Sequence, residues 1–73
     1  MNQFDKEEID GLRRIGAKYI IAETNDNRFA TWKRPIKKDG SWFYPETTKV
    51  VDVSPNRLLF IQPSDEQPYS IEE

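Results

Sequence analysis

Asp39-Gly40 is the feature that most limits what this chain can build. Glycine takes up positive φ without a Cβ penalty, and an Asp-Gly pair between apolar runs is a strong short-range signal for a chain reversal. The pair lies inside Arg28–Tyr44, RFATWKRPIKKDGSWFY, which also holds both tryptophans and five basic residues. This stretch reads as a hairpin of two strands, 28–34 and 41–44. Side chains alternate along a strand, so Ala30, Trp32 and Arg34 share one face, and Phe29, Thr31 and Lys33 the other. Pro35 has no N–H for a ladder and ends the first strand; Pro45 stops the second. Trp42 and Tyr44 share a face and Phe43 takes the opposite one, so a slip of one residue would exchange core and solvent.

At 73 residues the chain is one small domain, 1–73, with a thin core. The segment from Phe4 to Gly16 carries helix signals. Asp5 reads as the N-cap with Glu8 closing a capping box, Phe4 and Ile9 as a hydrophobic staple, and Gly16 as the C′ residue. Ile9, Leu12 and Ile15 form its apolar stripe. Lys18–Glu23 is apolar on both faces, as in a central strand covered by the helix on one side. Asn25-Asp26-Asn27 forms a tight loop into 28–34, so the first three strands read as an antiparallel meander. A β-branched strand at 49–53, a turn at Ser54-Pro55-Asn56 and an apolar strand at 58–61 follow. Residues 63–73 read as an extended acidic tail or, from the alternation of Tyr69 and Ile71, as an edge strand. The fold class is α+β: an N-terminal helix packed on a small, twisted antiparallel sheet of four to five strands. Its expected core is Ile9, Leu12, Ile15, Tyr19, Ile21, Phe29, Trp32, Trp42, Val51, Leu59 and Ile61.

The chain has no cysteine and no histidine. The thiolate nucleophile, the usual general base and the commonest transition-metal ligands are therefore missing. The four serines have no neighbour in sequence suited to activate them. The carboxylate pairs Glu7-Glu8, Asp65-Glu66 and Glu72-Glu73 read as a helix start and a solvated tail. No catalytic, metal or cofactor-binding residue is singled out, and no cofactor is expected. No apolar run approaches the ~18 residues of a membrane span. The opening MNQFDKEE lacks the basic and apolar regions of a secretory leader, so a cytoplasmic protein without a membrane partner is expected.

Charge is distributed unevenly. Residues 1–27 carry a net −2, residues 28–49 a net +4, and residues 50–73 a net −4. Arg28, Lys33, Arg34, Lys37 and Lys38, with Trp42 among them, are the candidate nucleic-acid surface, because single-strand binders join phosphate attraction to base stacking. The acidic overall balance speaks against this footprint, and lysines on a hairpin also guard strand edges. Asp65, Glu66, Tyr69 and Ile71 are the candidate protein-binding residues, suited to strand addition or to meeting a basic surface. A free sheet edge also allows a homodimer.

The order helix, Gly16, Lys18-Tyr19-Ile20-Ile21-Ala22, acidic turn, Phe29-Ala30-Thr31-Trp32, Lys33-Arg34-Pro35-Ile36-Lys37, Gly40-Ser41-Trp42 resembles small uncharacterised proteins of phages and prophages of Gram-positive bacteria. The resemblance extends to the apolar stretch and acidic, proline-containing end at Leu59–Ile71. Asn25-Asp26-Asn27 departs from it, because an Asp-Gly turn is usual there. It brings no activity and no functional residue with it. It implies a non-enzymatic accessory protein acting on a host or phage protein in the bacterial cytoplasm. Nucleic-acid binding through the basic aromatic hairpin 28–44 is the alternative.

Overall fold

The structure is a computed structural model and describes residues 1–71. Helix α1 spans Gln3–Arg14, and its cap is Asn2 rather than Asp5. Asn2 is extended, and its side-chain oxygen accepts the Asp5 N–H at 2.8 Å, which satisfies one of the free donors of the first turn. Phe4 is therefore a helical residue and not the residue before the cap, so the staple with Ile9 does not arise. The helix ends as expected at Gly16, whose φ is +104°. The Gly16 N–H donates to the Arg13 carbonyl and the Ala17 N–H to the Leu12 carbonyl, the paired bonds of a Schellman end. Ile9 and Leu12 are buried, but Ile15 is 57% exposed. At ~100° per residue, every third position drifts by ~60°, which carries Ile15 off the buried face.

Sheet A has the order β5-β2-β1-β6, with β1 at Tyr19–Ala22, β2 at Arg28–Thr31, β5 at Val50–Asp52 and β6 at Tyr69–Ser70, and every pairing is antiparallel. β1 is interior, as its two apolar faces predict. Ile20 lies opposite Ala30 and, with Ala22, joins Ile9, Leu12, Ala17, Val53, Leu58, Ile61 and Ile71 in one buried cluster. This is the helix packed on one sheet face. Ile21 and Thr31, one residue out of phase, are buried on the other face. The β1–β2 loop is closed by Thr24, whose hydroxyl accepts the Asp26 and Asn27 N–H groups, rather than by an Asx side chain.

The expected hairpin 28–44 and the meander are corrected. β2 stops at Thr31, because the Thr48 hydroxyl accepts the next two N–H groups, of Trp32 and Lys33, at 3.1 and 2.9 Å. Pro35 then follows with no donor to give. The sheet neighbour of β2 is β5. Asp39-Gly40 does reverse the chain, but between β3 (Ile36–Lys38) and β4 (Ser41–Phe43), a separate two-stranded ribbon.

No strand forms over 58–61. Asn56 and Leu58 adopt positive φ, +63° and +59°, and the Ile61 N–H donates to the Leu58 carbonyl in a turn. Leu58 is buried and Leu59 exposed, the reverse of the expected core assignment. Two carboxylates from α1 hold this segment. Asp5 accepts the Leu58 N–H at 2.8 Å and Glu8 the Ser54 N–H at 2.9 Å. Of the remaining expected core, Ile21 and Ile61 are buried, and Tyr19, Phe29, Trp32, Trp42 and Val51 are half-buried.

Candidate functional site

The basic residues of the central stretch mostly serve the chain itself. Arg28 is only 5% exposed and does not belong to a surface. It lies across the sheet from Ala22 on the core face, where its guanidinium donates to the carbonyls of Ile61 at 2.9 Å, Asn25 at 2.7 Å and Leu59 at 3.4 Å. Among the described residues its partners are carbonyls and not carboxylates. The Lys37 side chain is 6% exposed. Its ammonium donates to the carbonyls of Pro63 and Asp65, lies 5.4 Å from the Trp42 ring centroid and 4.0 Å from Glu66. Arg34 donates to the Gln67 side chain and stacks over Tyr19, Lys33 donates to the Thr47 hydroxyl, and Lys49 lies over Trp32. Lys38 has no such partner among the described residues. Trp42 is half-buried against Lys37, and its indole N–H is buried with no acceptor among the described residues. Arg28, Lys37 and Trp42 thus leave the expected nucleic-acid surface; Lys33, Arg34 and Lys38 stay at the exterior.

The expected protein-binding residues are also drawn into the fold. Ile71 is buried, its N–H donates to the Lys18 carbonyl at 2.9 Å, and the Ile71 carbonyl accepts from the Arg13 guanidinium. Tyr69 pairs with Ile20 across β1–β6 and meets Phe60 edge-on, with ring centroids 5.3 Å apart. Asp65 accepts the Gln62 N–H within a turn. Asp65 and Glu66 remain exposed, Glu66 with 81% of its side chain in solvent. Of the segment expected as a tail or edge strand, Tyr69–Ser70 form the edge strand β6 and the residues before them are turns; Glu72 and Glu73 lie outside the described residues.

A polar pair stands at the end of β1. The Tyr44 hydroxyl donates to the Glu23 carboxylate. Burial, that bond and the carboxylate charge together push the Tyr44 phenol well above its ordinary range. Among the described residues no group of three or more carboxylates converges to hold a metal ion, and no helix is long and apolar enough to cross a membrane.

The outer face of the ribbon carries two of the exposed large apolar side chains of the described residues, Ile36 and Phe43. Asp39 and Gly40 both have positive φ, 54° and 78°, as the tightest two-residue hairpin turn requires. That turn sets Lys38 opposite Ser41, Lys37 opposite Trp42 and Ile36 opposite Phe43. Lys37 and Trp42 face inward. Ile36 and Phe43 share the outward face, 65% and 55% exposed, and with Lys38 and Asp39 they line a groove of about 430 Å³. The period-two assignment of Phe43 away from Trp42 already marked one half of this pair. Ile36 escapes the sequence reading, which ends the first strand at Pro35 and begins no new strand after it. Comparison with known proteins adds no relative: no family model matches the chain, and no curated protein and no solved structure matches it.

Proposed function

We propose that this chain is a non-enzymatic accessory protein of phage or prophage type that acts by protein–protein contact, with the outer face of the β3–β4 ribbon as its contact surface. The observation that carries this reading is the cross-strand pair Ile36 and Phe43, large apolar side chains left in solvent on a separate two-stranded ribbon. A cross-strand aliphatic–aromatic pair is a stabilising unit in a sheet, and large exposed apolar surface in a small protein marks a place of contact. The resemblance to small phage and prophage proteins supports the accessory role.

The nucleic-acid reading keeps one supporting observation: Lys38, a cation with no partner among the described residues, shares the outward face with Phe43. Three of its six residues are nonetheless engaged inside the fold, and Ile36 offers no stacking surface for a base. A photo-reactive phenylalanine analogue at position 43, compared with one at the exposed helix position Lys6, separates the two. Adducts with protein at position 43 and not at position 6 are expected. Adducts with nucleic acid at position 43, or equal labelling from both positions, would refute the reading.

A further inference from the structure

The sequence holds two Asp-Gly dipeptides, Asp10-Gly11 and Asp39-Gly40. An aspartate before glycine can close a ring with the main chain. The glycine nitrogen attacks the aspartate Cγ, the nitrogen loses its proton, and a carboxyl oxygen leaves as water. The cyclic imide then takes up a water again. Addition at Cγ restores aspartate. Addition at the main-chain carbonyl carbon leaves the chain running through the side chain, as a β-linked isoaspartate. No oxidant, reductant or cofactor enters, and the net change is an isomerisation. Glycine favours the step because no Cβ shields its nitrogen.

Exposure does not separate the two pairs. All four residues are exposed, and neither glycine has a neighbour within 4 Å of an added Cβ. Their bonding does separate them. Asp10-Gly11 lies inside helix α1, where the Gly11 N–H is donated to the carbonyl one turn before it. The Asp10 carboxylate also accepts from the Arg13 guanidinium at 3.2 Å. Ring closure there has to break that contact and swing the Asp10 ψ out of its helical value in mid-helix. Asp39-Gly40 carries none of these restraints. Among the described residues no hydrogen bond or ion pair engages the Asp39 carboxylate or the Gly40 N–H. The pair sits at positive φ in a turn, and the ribbon that it closes pairs with no strand of sheet A. A two-stranded ribbon opens at its tip at small cost. We propose that Asp39-Gly40 is a self-modification site, at which the folded chain converts to isoaspartate in preference to Asp10. The product adds a methylene to the main chain of a two-residue turn. That longer turn no longer fits the register that sets Lys38 opposite Ser41 and Ile36 opposite Phe43. The inference does not rest on the function proposed above, although conversion would set a lifetime on that contact face.

To test it, the folded chain is held at neutral pH for weeks in water enriched in heavy oxygen, then digested with chymotrypsin in ordinary water. Each imide that reopens fixes one heavy oxygen, so label records conversion in the intact protein and not during digestion. Residues 33–42 contain Asp39 as their one aspartate, and residues 5–12 contain Asp10 with Asp5. Label is expected to enter 33–42 at least about tenfold faster than 5–12, the ratio given by a ~1.4 kcal/mol lower barrier. A labelled form of 33–42 that elutes separately and accepts a methyl group from isoaspartyl methyltransferase should build up with it. In urea strong enough to unfold the chain, the two rates should converge. A folded chain that leaves 33–42 unlabelled, or labels both segments equally, overturns the proposal. A preference for 33–42 that survives unfolding overturns it too, since flanking residues and not the fold would then set the rate.

Discussion

Replacing Gly16 by alanine should cost this small protein a large part of its stability. Two effects add at this position. The φ of +104° is one that a side chain rarely adopts, and a Cβ there costs about 1–2 kcal/mol on the scale of left-handed residues. The added carbon would also sit 2.7 Å from Trp32 Nε1, inside any real contact, so the indole must move. Trp32 packs against the buried cluster, and forcing a packed side chain aside costs about 1–3 kcal/mol. The expected total is about 2–5 kcal/mol, against about 5–15 kcal/mol for a whole domain. Gly11 is the internal control. It lies mid-helix with nothing within 4 Å of a new Cβ, so Gly11→Ala should stabilise by up to about 1 kcal/mol. Urea unfolding followed by tryptophan fluorescence measures both. With a slope of about 1 kcal/mol/M, the Gly16→Ala midpoint should fall by about 2 M or more. A Gly16→Ala protein within about 0.5 kcal/mol of wild type would refute both the helix-end geometry and the packing of Trp32 upon it.

Other perturbations probe the contacts that bind the chain's two halves. Arg28→Leu should destabilise by about 2–4 kcal/mol, because the buried carbonyl of Ile61 and the part-buried ones of Asn25 and Leu59 lose a charged donor; Arg28→Lys should not restore the loss, since one ammonium cannot span three separate acceptors. Chemical denaturation of both variants checks this, and a neutral Leu variant would sink it. Asp5→Ala should cost about 1–2 kcal/mol by leaving the Leu58 N–H without its acceptor, and hydrogen exchange at that amide should speed up. In an alkaline absorbance titration, Tyr44 should ionise well above the ordinary phenol range, and Glu23→Gln should bring it down toward that range. The sign of the linkage follows: the folded value lies above the unfolded value of about 10, so Tyr44 contributes in full below that pH, and the contribution is lost as pH rises toward the folded value. Tyr44→Phe should flatten that alkaline decline, and an unchanged slope would count against the pair.

What local chemistry determines was legible in the sequence. The Gly16 helix end, the interior strand β1, the reversal at Asp39-Gly40 and the burial of Ile9, Leu12 and Ile21 all follow from periodicity and φ preference. What long-range partners determine was not. Thr48 ends β2 by taking the N–H groups of Trp32 and Lys33, sixteen and fifteen residues away. Leu58 takes a conformation unusual for leucine because Asp5 holds its amide from across the molecule. The basic cluster misled for a related reason. Arg28 and Lys37 have long apolar stems and polar heads, so they can lie within the fold and serve carbonyls that only tertiary structure brings near. A charge count sees their sign and not their direction. The candidate site shows the same division: the outward turn of Phe43 was readable from alternation, whereas its pairing with Ile36 required the strand to restart after Pro35.

The position of β1 between β2 and β6 also sets an order of events. β1 and β2 are separated by the five residues 23–27, whereas β1 and β6 are separated by the 46 residues 23–68. On the logarithmic law for closing flexible loops, the longer closure costs about 2 kcal/mol more when it is made from the open chain. The β1–β2 hairpin can therefore nucleate early, while one edge of β1 stays bare until the chain has brought Tyr69 and Ser70 back to it. During that interval the exposed ladder of Tyr19 and Ile20 is a template for a stray strand from another molecule. The last pairing to form is also the one whose loss uncovers Ile71 and the most apolar strand of the sheet. Slow refolding and strand-mediated aggregation should consequently share a single cause, the delay before β6 seals β1.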